Sequence, residues 1–167
     1  MSAITSFVVV LPTDVGQLAE LETRIQDLID CAPPLEDAEI VQYNLWLAVH
    51  ELCVNIIQHA YDGESGEFVV NFMLLDDPLR VEITSQDQGA NAFDFTEWSP
   101  PDLTDPPIHG LGIFLMRQLM DSVEYEHTDT HSHWRLVKRL AVAPLLPERL
   151  GVEADAAGRL DGEGANP

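Results

Sequence analysis

ELCVNIIQHAY, residues Glu51 to Tyr61, lies inside a segment from Ala38 to Asp62 that holds neither Gly nor Pro, and that freedom from breakers predicts one helix. Leu45, Leu47, Ala48, Val49, Leu52, Cys53, Val54, Ile56, Ile57 and Ala60 spread over nearly its whole circumference, the pattern of a buried helix. Its polar residues are therefore the informative ones. Glu51, Asn55, Gln58, His59 and Asp62 fall at i, i+4, i+7, i+8 and i+11, which puts them in one stripe. Burying a carboxamide costs on the order of 2 to 7 kcal/mol unless something hydrogen-bonds or coordinates it. The stripe must line a polar cleft or close an internal network between helix and sheet, and the segment by itself fits either.

Upstream of this helix, Pro33 and Pro34 stop another, whose apolar stripe is Leu18, Leu21, Ile25, Leu28 and Ile29. Thr13 or Asp14 would cap it, and Gln17 stands three after Asp14 as in a capping box. Before it, Ile4 to Leu11 is β-branched and apolar and ends at Pro12, which predicts a strand. Downstream, Gly63, Ser65 and Gly66 lead into a strand from Glu67 to Leu75, and Asp76-Asp77-Pro78 turns it back. There Leu79, Val81 and Ile83 alternate with Arg80, Glu82 and Thr84, completing an antiparallel hairpin.

From Ser85 to His109 the chain has no helical period and holds Gly89, Pro100, Pro101, Pro106 and Pro107; a structureless stretch of that length is usually functional. Gly110-Leu111-Gly112 then opens IFLMRQLMDSV, whose apolar residues Ile113, Leu115, Met116, Leu119, Met120 and Val123 are spaced for a short, mostly buried helix. Val123 to Thr128 and His133 to Val142 alternate around a polar turn, Asp129 to Ser132, as a second hairpin. The domain is expected to span 1–142. In 143–167, Pro144, Pro147, Gly151, Gly158, Gly162 and Gly164 interrupt an Ala- and acid-rich tail expected to be mostly disordered. The alternative is a short docked helix around Leu145, Leu146, Leu150 and Val152.

At 167 residues the chain can close a single core around one sheet. Lys and Arg number 8 against 29 Asp and Glu, for a formal net charge of -21. Such a field repels DNA, RNA and anionic membranes and so argues against nucleic-acid binding through a basic patch. It would steer a basic protein partner, and it would serve equally as a solubility or salt-adaptation surface. Cys31 and Cys53 form no CxxC and fall on different predicted helices, so they read as small core residues rather than a zinc site or redox pair. The N-terminus lacks a basic and then apolar leader, and no stretch is read as reaching the roughly 18 apolar residues of a membrane span, so the chain is expected to be cytoplasmic.

Three polar features sit at element ends: the stripe Glu51/Asn55/His59, the step Asp87-Gln88-Gly89, and Gly110-Leu111-Gly112. Alone, a DxG is most often a turn, and a GxG before a helix most often serves packing, though its amides can hold an anion. In this order they resemble the N-box, G1 box and G2 box of the Bergerat-type ATP-binding fold of histidine-kinase-like ATPases. The closer resemblance is to the anti-sigma factor serine/threonine kinases, over about Ile4 to Leu140, carried by LAVHELCVNIIQHAYDGE, HGLGIFLMRQLMDSVEYE and RLVKRL. It implies an α/β fold of the α+β two-layer kind, a mixed, mainly antiparallel sheet covered on one face by about three helices.

The resemblance also implies roles. Asn55 would hold Mg²⁺ through its side-chain oxygen, Glu51 would act as general base beside the γ-phosphate of ATP, and His59 would meet a phosphate oxygen. Asp87 would accept a hydrogen bond from the adenine amino group, and Gly89 would let the backbone approach the ring. Gly110 and Gly112 would bring amides to the phosphates, with Arg117 contributing, and Asn91 to His109 would form the lid. Two departures stand out: Ala90, Asn91 and Ala92 precede Phe93-Asp94, one residue more than the pattern, and Ser132 is the only nearby hydroxyl to support Asp87. The implied partners are a sigma factor and a small antagonist (anti-anti-sigma) protein, and relatives are often homodimers. A noncatalytic ATP-responsive binding module is the alternative. A histidine-kinase catalytic domain is disfavoured, since only Thr13 to Ala32 is available as a helix before the nucleotide domain.

Overall fold

The computed structural model describes residues 2–61, 63–88 and 111–144. Strands β1 (Ala3–Pro12), β2 (Glu67–Asp76), β3 (Leu79–Asp87), β4 (Ser122–His127) and β5 (Ser132–Arg139) make one sheet in the order β1-β2-β3-β5-β4. Its ladders are antiparallel throughout among the described residues, where a mixed, mainly antiparallel sheet was expected. The helices are α1 (Glu20–Asp30), α2 (Ala38–Asn55) and α3 (Leu111–Leu119). Alternation decides which face of the sheet they cover. Val9, Leu11, Phe68, Val70, Phe72, Leu74, Val81, Ile83, Trp134 and Leu136 join Leu21, Ile25, Leu28, Leu45, Leu52, Ile113 and Met116 in one core. The intervening residues Val8 and Val10 are exposed on the opposite face. This is the two-layer α+β arrangement that the sequence implied.

Several elements differ locally from their sequence reading. Asp14 caps a 3₁₀ turn, Val15–Gln17, by accepting from Gly16 N at 2.9 Å; with that cap taken locally, α1 starts only at Glu20. The helix expected to run to Asp62 is α-helical to Asn55 and then opens into a π turn over Ile56–Ala60, while Asp62 lies outside the described residues. The wider turn keeps Ile56, Ile57 and Ala60 in the core and leaves Gln58 and His59 outward. Nor is α2 buried all round, since Ile40 and Tyr43 are exposed. Ala38–Ala60 is nevertheless long and apolar enough, with a mean hydropathy of 1.2, to meet the length and composition of a membrane span, contrary to expectation. Here its apolar side packs on the sheet through Leu45, Ala48, Val49, Leu52 and Cys53.

Cys53 is buried as expected, but Cys31 is exposed at the end of α1. Helix α3 stops at Leu119, so Val123 belongs to β4, and Ser132 is a strand residue rather than part of the turn. Strand β5 ends at Arg139, and Val142 instead makes an isolated bridge to Leu35. Glu36 N donates to Ala141 O at 2.9 Å and Ala143 N to Pro34 O at 2.8 Å, one residue past the expected boundary at 142. The tail reading falls almost wholly on 145–167, outside the described residues.

Candidate functional site

The described members of the three polar features lie in two adjoining groupings. Asn55 on α2 and His59 in the π turn face the end of β3, where Asp87 sits, and the start of β5, where Ser132 and Trp134 sit; Tyr125 of β4 closes the small cavity between them. Single π turns inside helices occur frequently at functional sites, and here the turn carries His59 to the cavity while Gln58 leaves the expected stripe for solvent. Asp87 is 1% exposed and lies opposite Ser132 in the β3–β5 register. Ser132 Oγ is 2.9 Å from His127 Nδ1 and 3.2 Å from Tyr125 OH. Tyr125 in turn packs on Trp134 with ring centroids 4.6 Å apart.

A second grouping lies one helical turn earlier. An ideal Cβ on Gly112 would stand 2.7 Å from Glu51 Oε2 and 3.4 Å from Asn55 Nδ2, so the first turn of α3 runs directly against these two side chains. Only glycine leaves the Glu51 carboxylate in place there. Glu51 is about a quarter exposed (24%), with Oε1 3.7 Å from His50 Nδ1. Asn55 Nδ2 and, on β3, Ser85 Oγ are buried with no hydrogen-bond partner among the described residues. Leaving such a group unsatisfied costs about 1 to 3 kcal/mol. That weighs against a closed internal network and for a cleft that takes a polar ligand.

Of the residues singled out in the sequence, Glu51, Asn55 and Gly112 are thus in one place, and Asn55, His59 and Asp87 share the adjoining cavity. His59 is exposed at its rim. Arg117 lies exposed in the last turn of α3, outside that lining. Gly89, Gly110, the added residue near Ala90 to Ala92 and the Asn91–His109 lid lie outside the described residues.

The sequence reading passed over Tyr61, Tyr125 and Trp134. Tyr61 OH donates to Glu67 O at 2.7 Å and accepts from Gln88 N at 3.3 Å, tying the end of the π turn to β2 and to the residue after Asp87. Burial pushes its phenol above the ordinary value, the Gln88 N–H opposes that, and the Asp87 charge adds to it. Gly66 passes under the ring, where a Cβ would collide with Tyr61 Cε1. Tyr61 does end the string that decides the fold; the other two were visible only as members of an alternating run.

The family model described as a histidine kinase-like ATPase domain matches residues 11–138. The serine-protein kinase RsbW of Bacillus cereus (strain B4264) is 37% identical over 91 residues, which are 50% of this chain and 55% of that protein. The protein of the same name from Bacillus thuringiensis subsp. konkukian (strain 97-27) matches to the same extent. The chain therefore spans about half the length of the curated relatives it matches. The crystal structure of the RsbU and RsbW domains of Rv1364c from Mycobacterium tuberculosis superposes with a TM-score of 0.58 over 84% of this chain and 35% of that one. At 14% identity, that likeness concerns the fold alone.

Proposed function

The chain belongs to the histidine kinase-like ATPase domain family, and from that premise we propose that it is a Mg-ATP-dependent serine/threonine protein kinase acting in the cytoplasm. Its substrate is a small antagonist protein of the anti-anti-sigma type, and its second partner is a sigma factor. The name of the RsbW relatives supports the chemistry. The observation that carries the reading is the apposition of Glu51 and Asn55 against Gly112 in the first turn of α3.

Mg-ATP, when bound, supplies the phosphoryl group and a cation that offsets the charge of its phosphates. The residues present fit it. Asn55 brings a carboxamide whose amide nitrogen has no partner among the described residues, and its oxygen is the neutral hard donor that Mg²⁺ takes. Gly112 allows the α3 backbone to come close, so that the first turn of the helix would offer amides to phosphate oxygens, the role that the resemblance also gives to Gly110. Asp87, buried at the end of β3, is the acceptor for the adenine amino group, and Ser132 beside it holds that end of the cavity. His59 stands at the rim for a phosphate oxygen. Glu51 adjoins Asn55 without being the ligand itself, the position of a base that takes the proton from an incoming Ser or Thr hydroxyl.

Glu51→Gln separates catalysis from binding. The variant should bind Mg-ATP and its protein partner as the parent does while phosphorylating the partner about 10²- to 10⁴-fold more slowly. Single-turnover transfer from radiolabelled ATP to the captured partner measures it. Equal transfer removes Glu51 as the base, and binding without transfer by the parent makes the chain an ATP-responsive binding module.

A further inference from the structure

A second concavity lies away from this cavity, between α1 and the N-terminal half of α2. It has a volume of about 470 Å³ and is lined by Glu22 of α1 and by Glu39, Gln42, Tyr43 and Trp46 of α2; none of these residues lines the cavity at the sheet end. Its floor is aromatic. Tyr43 and Trp46 have ring centroids 5.8 Å apart, and Trp46 and His50 continue the row at 5.6 Å. Tyr43 is 59% exposed, as is Ile40 beside it. Tyr43 is exposed and Trp46 and His50 are half-buried, and a contiguous, partly open aromatic row of this kind marks a contact surface, whereas singly scattered apolar residues do not. Trp46 is partly buried against the core, but core packing does not account for Tyr43, which is exposed and lies off the buried stripe of α2 through Leu45, Ala48, Val49 and Leu52.

The chemistry of the walls selects the occupant. The two charged side chains lining the groove among the described residues are carboxylates, both are exposed, and the chain carries a formal net charge of -21. A planar guanidinium satisfies such walls and floor together: it stacks on the faces of Tyr and Trp and forks onto carboxylates, which the compact ammonium of Lys does less well. We propose that the α1/α2 groove is a docking site for an arginine-bearing segment of a protein partner. The net charge steers that partner in, and the aromatic row fixes where the segment lies. The inference does not rest on the kinase reading and holds whether or not the chain transfers phosphate.

The test uses the full chain and a blocked peptide, acetyl-Gly-Arg-Leu-Arg-Gly-amide, followed by NMR through the indole N–H signals. The Trp46 signal should move saturably and salt-sensitively, while that of Trp134, buried in the core, stays in place. The peptide with Glu in place of Arg should have no effect. The double variant Glu22→Gln/Glu39→Gln should bind the Arg peptide roughly fivefold or more weakly. Both carboxylates are exposed, so the fold is kept, and the Trp134 signal reports it. Equal affinity of parent and double variant, an equal response to the Glu peptide, or a still Trp46 signal at millimolar peptide overturns the proposal. So does self-association of the parent that the double variant loses without any response to the peptide, since a second copy would then occupy the groove.

Discussion

A methyl group at position 112 would stand within 2.7 Å of Glu51 Oε2, and what yields is the tip of a flexible side chain rather than backbone. Gly112→Ala should therefore leave the fold and melting temperature nearly unchanged while moving the carboxylate off its position. Displacements of about 1 Å at a reacting group cost about 10²-fold in rate. Single-turnover transfer should fall by that order, with ATP affinity less affected; an unchanged transfer rate would show that the Glu51 position does not matter. Asp87 gives the complementary case. A carboxylate only accepts, whereas an Asn can turn its amide towards the adenine, so Asp87→Asn should weaken ATP binding by about 1 to 3 kcal/mol in calorimetry. At this scale the sequence was legible where a placement depends on residues along one element: Glu51 and Asn55 lie one turn apart, and Asp87 ends a strand. It was not legible where a role depends on cross-strand register. Ser132 could be named as a hydroxyl near Asp87, but its pairing opposite Asp87 and its bridging of His127 and Tyr125 arise only once β3, β5 and β4 are aligned.

At the scale of elements, apolar periodicity placed α1, α2, α3 and both hairpins, because each buries one side of a regular repeat. It failed where the repeat changes. The π turn over Ile56–Ala60 has no breaker to announce it, and it removes Gln58 from the stripe that a continuous α-helix would give. The sheet face opposite the helices carries a feature that periodicity showed only as polar alternation. Arg80 Nε donates to Glu82 Oε1 at 2.7 Å, Arg135 Nη2 lies 3.1 Å from Glu82 Oε2, and Arg135 Nη1 lies 3.2 Å from Glu124 Oε2. Burial acts against the charged form of Glu82, and the hydrogen bonds from the two guanidinium groups outweigh it, holding the carboxyl below its ordinary value. Glu124 is lowered too, by its hydrogen bond from Ser122 and then by Arg135. A folded-state value below the unfolded one, about 4.3 for Glu, gives stability that is fully present above the unfolded value and is lost as pH falls through the folded one. Glu82→Gln should lower stability at pH 7 by about 1 to 3 kcal/mol and flatten the acid limb of melting temperature against pH. Parallel acid limbs for parent and variant would remove Glu82 from that titration.

For the molecule as a whole, the two layers were what the family resemblance implied, and the structure supplies the physical reason: the same alternation that fills the core leaves the other sheet face polar or sparsely apolar. Where the domain closes was harder to read, since pairing near Val142 involves a segment over 100 residues earlier, and no local pattern records it. Glu36 bonds to Ala141 O, Ala143 bonds to Pro34 O, and Leu35 bridges Val142, so the chain from Ala141 to Ala143 fastens the link between α1 and α2. The composition of 145–167, rich in Gly, Ala and acidic residues, offers little apolar surface to offset the entropy of ordering. Two truncations then separate clasp from tail. Ending the chain after Pro144 should leave the melting temperature and ATP affinity unchanged, whereas ending it after Leu140 removes the clasp and should lower the melting temperature. In a domain of this size about 1 kcal/mol corresponds to roughly 2 to 4 °C, so scanning calorimetry resolves the two cases. A fall of that size on ending at Pro144 would mean that Leu145, Leu146, Leu150 and Val152 contribute to the folded core, and an unchanged value on ending at Leu140 would mean that the clasp contributes nothing.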